Sequence, residues 1–130
     1  MIIVSSDYKM AKPQSDIINE IVIIDNVSFD KIMNNKSPLT ITLPEKCHDG
    51  IIYIFINKIP LSVKLSVPSV NTNDDIDGQN HILLHFGETT QITYYNGSWM
   101  TISKYCKQKQ NTNLPYTLYD IINKINLKKF

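Results

Sequence analysis

The chain has 130 residues, a net charge of +1, and 42% hydrophobic and 19% charged residues. That is the length and composition of one globular domain, enough to bury roughly two-thirds of the unfolded chain's surface, and it excludes an intrinsically disordered chain. All 13 cationic side chains are Lys, and the absence of Arg removes the residue best suited to bidentate phosphate and guanine contacts, which argues against a dedicated nucleic-acid reader.

Residues 1–15 show weak periodicity and include Lys12-Pro13-Gln14-Ser15, so they read as an N-terminal arm. Met1-Ile2-Ile3-Val4 lacks the basic flank and long apolar core of a signal peptide. Ile21 to Asp25 has the β-branched density of a strand, and Val27 to Met33 reads as its continuation, up to turn chemistry at Asn34–Pro38. Leu39, Ile41 and Leu43 alternate with Thr40 and Thr42, the period-two pattern of a sheet with one buried face. Leu61, Val63, Leu65 and Val67 repeat it with Ser62, Lys64 and Ser66 between them. Ile51 to Ile56 is apolar on both faces, so that strand is central or lies at a subunit contact. The run is far short of the roughly 20 residues needed to cross a bilayer.

The glycines punctuate this pattern. Gly50, Gly78 and Gly97 follow Asp49, Asp77 and Asn96, the pairs that suit tight hairpin turns. A strand is expected over His81–Phe86 and a hairpin over Ile92–Ile102, turning at Asn96-Gly97. Beyond the polar linker 107–113 the period changes. Leu118, Ile121, Ile122 and Ile125 fall at i, i+3, i+4 and i+7, a helical stripe with Pro115 at its start and Lys124, Lys128 and Lys129 at its end. A helix of about three turns is marginal alone in water, so its stripe must dock on this chain's sheet, on a sister subunit or on another protein. At least one terminus is expected to be the assembly element.

Taken together, the residues predict an all-β fold, a small antiparallel sandwich or prism-like module of seven or eight strands. The arm spans 1–15, the β-domain 16–106, the linker 107–113 and a short C-terminal helix 114–130.

Candidate chemistry is sparse. Asn73, Asp75, Asp77 and Gly78 match the opening of a calcium-binding loop, but the position due to hold a bidentate Glu is Leu84, and a solvated turn is the simpler reading. His81 and His85 are four apart, roughly 13 Å along a strand, too far to share one ion. Cys47 and His48 are neighbours in sequence and point to opposite sides of any strand, so they form no nucleophile–base pair. Two cysteines, Cys47 and Cys106, make no disulfide scaffold, and both read as free thiols. No catalytic or cofactor motif is present, so the chain reads as a non-enzyme without a cofactor. Tyr94, Tyr95 and Trp99 either pack the last hairpin, the favoured reading, or stack on a sugar or a protein partner.

From Ser37 to Ser103 the order of parts is similar to the β-rich modules of phage tail fibres, tailspikes and related virion-surface proteins. The parts are the Leu39–Pro44 strand (with Ile41-Thr42-Leu43-Pro44), the Asp49-Gly50 turn, the Asp77-Gly78 loop and the Tyr95-Asn96-Gly97-Ser98-Trp99 hairpin. The resemblance covers about half the chain. It implies a structural protein of a virion surface or capsid, made in the host cytoplasm, homo-oligomeric as a trimer and in contact with other virion proteins. The alternative it leaves is a carbohydrate- or receptor-binding module using Tyr94, Tyr95 and Trp99. Interface residues are then those three with Leu118, Ile121, Ile122 and Ile125.

Overall fold

Alternation of apolar and polar residues makes strands here as expected, but their pairing is another matter. The computed structural model describes residues 1–34, 38–68 and 74–106. The strands are β1 (Ile2–Val4), β2 (Tyr8–Lys9), β3 (Asn19–Ile24), β4 (Leu39–Thr42), β5 (Ile52–Asn57), β6 (Val63–Ser66), β7 (Asp75–Ile76), β8 (His81–Leu84), β9 (Glu88–Tyr95) and β10 (Ser98–Cys106). Among the described residues a single short helix, α1 (Phe29–Asn34), stands between β3 and β4.

The strands form a six-stranded sheet, β1-β3-β5-β9-β10-β7, and a four-stranded sheet, β2-β4-β6-β8. Through β6 the chain alternates strictly between the two sheets, so it winds as a coil. Ile2 lies beside Val22 and Asn19 beside Ile52 in one sheet. Tyr8 lies beside Ile41 and Leu39 beside Val63 in the other. All four of these pairings are parallel. The chain then reverses: β8 runs antiparallel to β6, β9 to β5, and β10 to β9. The purely antiparallel sandwich or prism expected from the sequence is therefore incorrect. Both sheets are mixed: through β6 each strand pairs in parallel with the next-but-one strand, whereas β8, β9 and β10 add antiparallel ladders.

Two further expectations need correction. Residues 1–15 are not a bare arm: they supply β1 and β2, with Val4 and Met10 buried. Val27 to Met33 does not continue a strand. Ser28 caps α1 there, its Oγ accepting from the Lys31 N–H at 3.3 Å. The expected C-terminal helix at 114–130 and the linker at 107–113 lie outside the described residues.

The core lies between the sheets. Val22, Ile24, Tyr53, Phe55, Ile92 and Trp99 of the larger sheet meet Leu39, Ile41, Val63, Leu65 and Leu84 of the smaller, all buried. Trp99 is fully buried in it, with ring centroids 4.9 Å from Tyr94 and 5.6 Å from Tyr53. The β9–β10 turn follows the sequence closely: Asn96 and Gly97 have φ of 51° and 83°, both left-handed.

At the end of β5 the coil crosses from one sheet to the other, and the buried Asn57 amide holds the corner. Its Nδ2 donates to the Leu61 carbonyl at 2.8 Å and to the Leu84 carbonyl at 3.0 Å. Its Oδ1 accepts from the Ile59 N–H at 3.0 Å. Asn57→Ala strips partners from all three groups, and a loss of about 3 kcal/mol or more is expected in chemical denaturation. Gly97→Ala forces a side chain into left-handed backbone with open space around it, and is expected to cost only about 1 kcal/mol. Equal losses from the two would show that the Asn57 bonds do not hold the corner.

Candidate functional site

The coil produces two unusual surfaces, and both belong to the six-stranded sheet. The first is its outer face. In β5 the side chains of Tyr53, Phe55 and Asn57 point into the core, so Ile52, Ile54 and Ile56 point out and are half-buried. Register extends this patch sideways. Ile3, Ile23 and Ile56 form one transverse row, and Ile21 and Ile54 the next. Ile3 is 57% and Ile21 39% exposed. A contiguous apolar patch on a sheet face is the signature of a contact surface. Of these residues the sequence reading singled out only the Ile51–Ile56 run, whose two apolar faces were the signal. Ile3 and Ile21 sit in similar β-branched runs, Ile2-Ile3-Val4 and Ile21–Ile24, and join the patch only through parallel register.

The second surface is the open end of the coil. β1 is the edge of the larger sheet and β2 the edge of the smaller. Successive residues in a strand direct their backbone groups to opposite neighbours. The Val4 carbonyl accepts from the Asp25 N–H at 3.0 Å, on the β3 side. The Ile3 N–H and C=O therefore face outward, along an edge that is open among the described residues. β2 carries the exposed Lys9, a common guard on edge strands, whereas β1 has neither charge nor proline. At the same end, the Met1 amine lies 2.8 Å from Glu20 Oε1. A cavity of about 410 Å³ opens there between the sheets, lined by Tyr8, Met10, Ile17, Glu20 and Tyr53 among others.

The aromatic hairpin obeys its alternation. Trp99 and Tyr94 are buried, while Tyr95 is 60% exposed. Of the three aromatic interface candidates only Tyr95 offers its ring to a partner. Leu118, Ile121, Ile122 and Ile125 lie outside the described residues.

The carboxylates of the calcium-like loop act as staples within the fold. Asp77 accepts from the Thr101 N–H at 2.9 Å and from the Thr101 Oγ at 2.6 Å. Asp75 accepts from the Ser98 hydroxyl and, at 3.4 Å, from the Gly78 N–H. These bonds fasten β7 to β10, which it joins in parallel. Asn73 lies outside the described residues. Asp77 and Gly78 have φ of 53° and 79°, the left-handed pair of a tight turn. The histidines are spread apart: His48 Nε2 is 2.6 Å from the Ile17 carbonyl, and His85 Nδ1 is 3.0 Å from Ser62 Oγ. Among the described residues no three His, Cys, Asp or Glu side chains gather as metal ligands.

Cys47 is buried and Cys106 half-buried, and each is a free thiol. Burial, with Asp74 nearby, pushes the Cys47 thiol up to about 11. The Tyr94 hydroxyl donates to Asp74 Oδ1 at 3.1 Å, and burial with this bond pushes it up to about 12. Among the described residues, no helix is long and apolar enough to cross a membrane.

No family model matches the chain, and no curated protein does. Among solved structures, a chain described as "Structure of a chaperone-substrate complex" is similar at 19% identity, with a TM-score of 0.48 over 78% of this chain. The match spans 17% of that solved chain, and a likeness of this size carries no argument about function.

Two outcomes are expected. Because the Tyr94 pKa is raised on folding, its stabilising share is intact below the ordinary tyrosine value of about 10 and drains away as pH climbs toward 12. Denaturation midpoints should fall across that range, and Tyr94→Phe should flatten part of the fall. Asp77→Ala is expected to cost about 1–2 kcal/mol with or without a calcium chelator. A chelator that itself lowers the wild-type midpoint would return calcium to this loop.

Proposed function

We propose that the chain is a structural module of a virus particle, at its surface or associated with its capsid, which works by joining copies of itself and contacting other virion proteins. The resemblance of residues 37–103 to fibre and tailspike modules supports the virion setting. One structural observation supports assembly: the unguarded β1 edge, with the Ile3 N–H and C=O directed outward and the apolar side chains of Met1 and Ile3 exposed beside them. Such an edge is a template for strand addition. Its partner here is the β1 edge of a second copy, because two such edges meet about a two-fold axis and each satisfies the other, which closes a dimer in place of the trimer that the resemblance implies. The cavity beside Tyr8 and Glu20 is wide enough to receive a side chain from that copy.

Ile3→Pro tests this with little disturbance, since it deletes only the outward N–H and spares the bonds of Ile2 and Val4 to β3. Size exclusion with light scattering should show an oligomer for the natural chain at micromolar concentration and a monomer for Ile3→Pro, with matching circular dichroism. A monomeric natural chain, or an oligomer indifferent to the substitution, overturns assembly through this edge. Mass spectrometry of purified particles tests the setting, and absence of the chain from them would end the virion reading.

A further inference from the structure

The cavity at the open end of the coil carries a carboxylate on an otherwise apolar wall. We propose that it binds a small primary ammonium ion on an unbranched apolar stem, with Glu20 holding the ammonium and Tyr8, Met10, Ile17 and Tyr53 enclosing the stem.

The position of Glu20 is the first observation. In β3 the side chains of Glu20, Val22 and Ile24 alternate with Asn19, Ile21 and Ile23, so they share the core-facing side of the larger sheet. Val22 and Ile24 are fully buried, and Glu20 pairs in register with buried Tyr53. Alternation calls for an apolar residue at this place, and a charge there is the kind of local exception that marks a site. The Met1 amine, 2.8 Å from Glu20 Oε1, shows that the carboxylate accepts an ammonium group. That pair does not by itself account for the charge, because Met1 is more than half exposed and ion pairs open to water add little stability.

The walls are built into the fold. Met10 is tied to the smaller sheet, its N–H donating to the Thr42 carbonyl at 2.9 Å. The Ile17 N–H donates to the Gln14 carbonyl at 3.0 Å, and His48 Nε2 lies 2.6 Å from the Ile17 carbonyl. At about 410 Å³ the cavity falls in the range of roughly 300–1,000 Å³ usual for small-molecule sites, which join apolar walls to a few polar groups. It lies between the sheets, whereas the outward Ile3 groups point along the larger sheet, so this site is separate from the strand-adding edge.

Charge decides which amphiphile fits. Lys12 is the one cation in the lining and is exposed, so water and salt screen it. Glu20 is only 21% exposed, and a charge sheltered from water acts more strongly on its neighbours. Two aromatic rings, Tyr8 and Tyr53, line the cavity, and such rings attract a cation rather than an anion. Burial, with Cys47, Glu20 and Tyr8 nearby, pushes the Tyr53 hydroxyl up, which keeps that ring uncharged.

Calorimetric titration of the natural chain with n-hexylammonium, 1-hexanol and hexanoate tests this. Hexylammonium should bind with a Kd on the order of millimolar, about tenfold more tightly than hexanol, and hexanoate more weakly than either. Glu20→Gln should bring hexylammonium to within about twofold of hexanol while leaving hexanol itself unchanged. Ile17→Trp fills the cavity without touching the carboxylate and should abolish binding of all three, which keeps the test decisive if Glu20→Gln fails to fold. Hexylammonium binding no tighter than hexanol overturns the proposal, and so does a preference that survives Glu20→Gln or binding indifferent to Ile17→Trp. Absence of saturable binding by hexylammonium overturns it as well, because the cavity is then closed or filled by a second copy. Association through the β1 edge is read from molecular mass and is decided separately.

Discussion

The coil depends on one buried amide. At Asn57 the chain leaves the central strand of the larger sheet and must turn within a few residues to start β6 in the smaller. A corner of this kind strands backbone groups away from water, where each unpaired one is costly. Asn57 satisfies the Ile59 N–H and the Leu61 carbonyl within the corner, and the Leu84 carbonyl from β8. The same side chain thus joins the outgoing coil to the returning one. Its own polar atoms are all paired, so a polar group in the core adds specificity without leaving an orphan. The passage from β5 to β6, and the tie between that corner and β8, rest on this one side chain.

What the sequence revealed depended on the range of the interaction responsible. Asn96-Gly97 and Asp77-Gly78 announce their turns because left-handed backbone is a property of the residue itself. The alternation in Leu39–Leu43 and Leu61–Val67 located strands and their buried faces, whereas in the last hairpin alternation said only that one set of aromatics is buried and the other exposed, and the packing of Trp99 against Tyr53 and Tyr94 decides which. Pairing direction was hidden, since a half-buried strand shows the same alternation beside a parallel or an antiparallel neighbour. The short β1 and β2 were hidden for a related reason. Two or three residues make no period, and Tyr8 finds Ile41 only after the chain has visited the other sheet. The six residues of α1 are too few to show a stripe, although Ser28 is an ordinary helix cap. Of the candidate surface, the double-faced Ile51–Ile56 run was readable, while Ile3 joins it through register alone.

The acidic loop shows how a motif can be matched and yet used otherwise. Alternate carboxylates beside an Asp-Gly turn suit an ion, but they suit backbone and hydroxyl donors just as well. Here Asp75 and Asp77 spend their lone pairs on Ser98, Gly78 and Thr101. The two-residue β7 has little apolar contact of its own beyond Ile76, so these bonds hold the far edge of the larger sheet in place.

The winding also fixes an order of events during synthesis. β1 and β2 leave the ribosome first, yet their ladder partners are β3 and β4, and β3 in turn awaits β5. Long-range parallel pairing of this kind carries a loop-closure cost before any contact repays it. The β9–β10 hairpin, closed by two residues, needs no such wait and forms on the microsecond scale once made. Of the described strands, the last to emerge are thus the first able to fold, and β9 then offers β5 a ready edge. The coil is laid down from one end and completed from the other, so its β1 edge is the last backbone to become ordered and the last available to a neighbour.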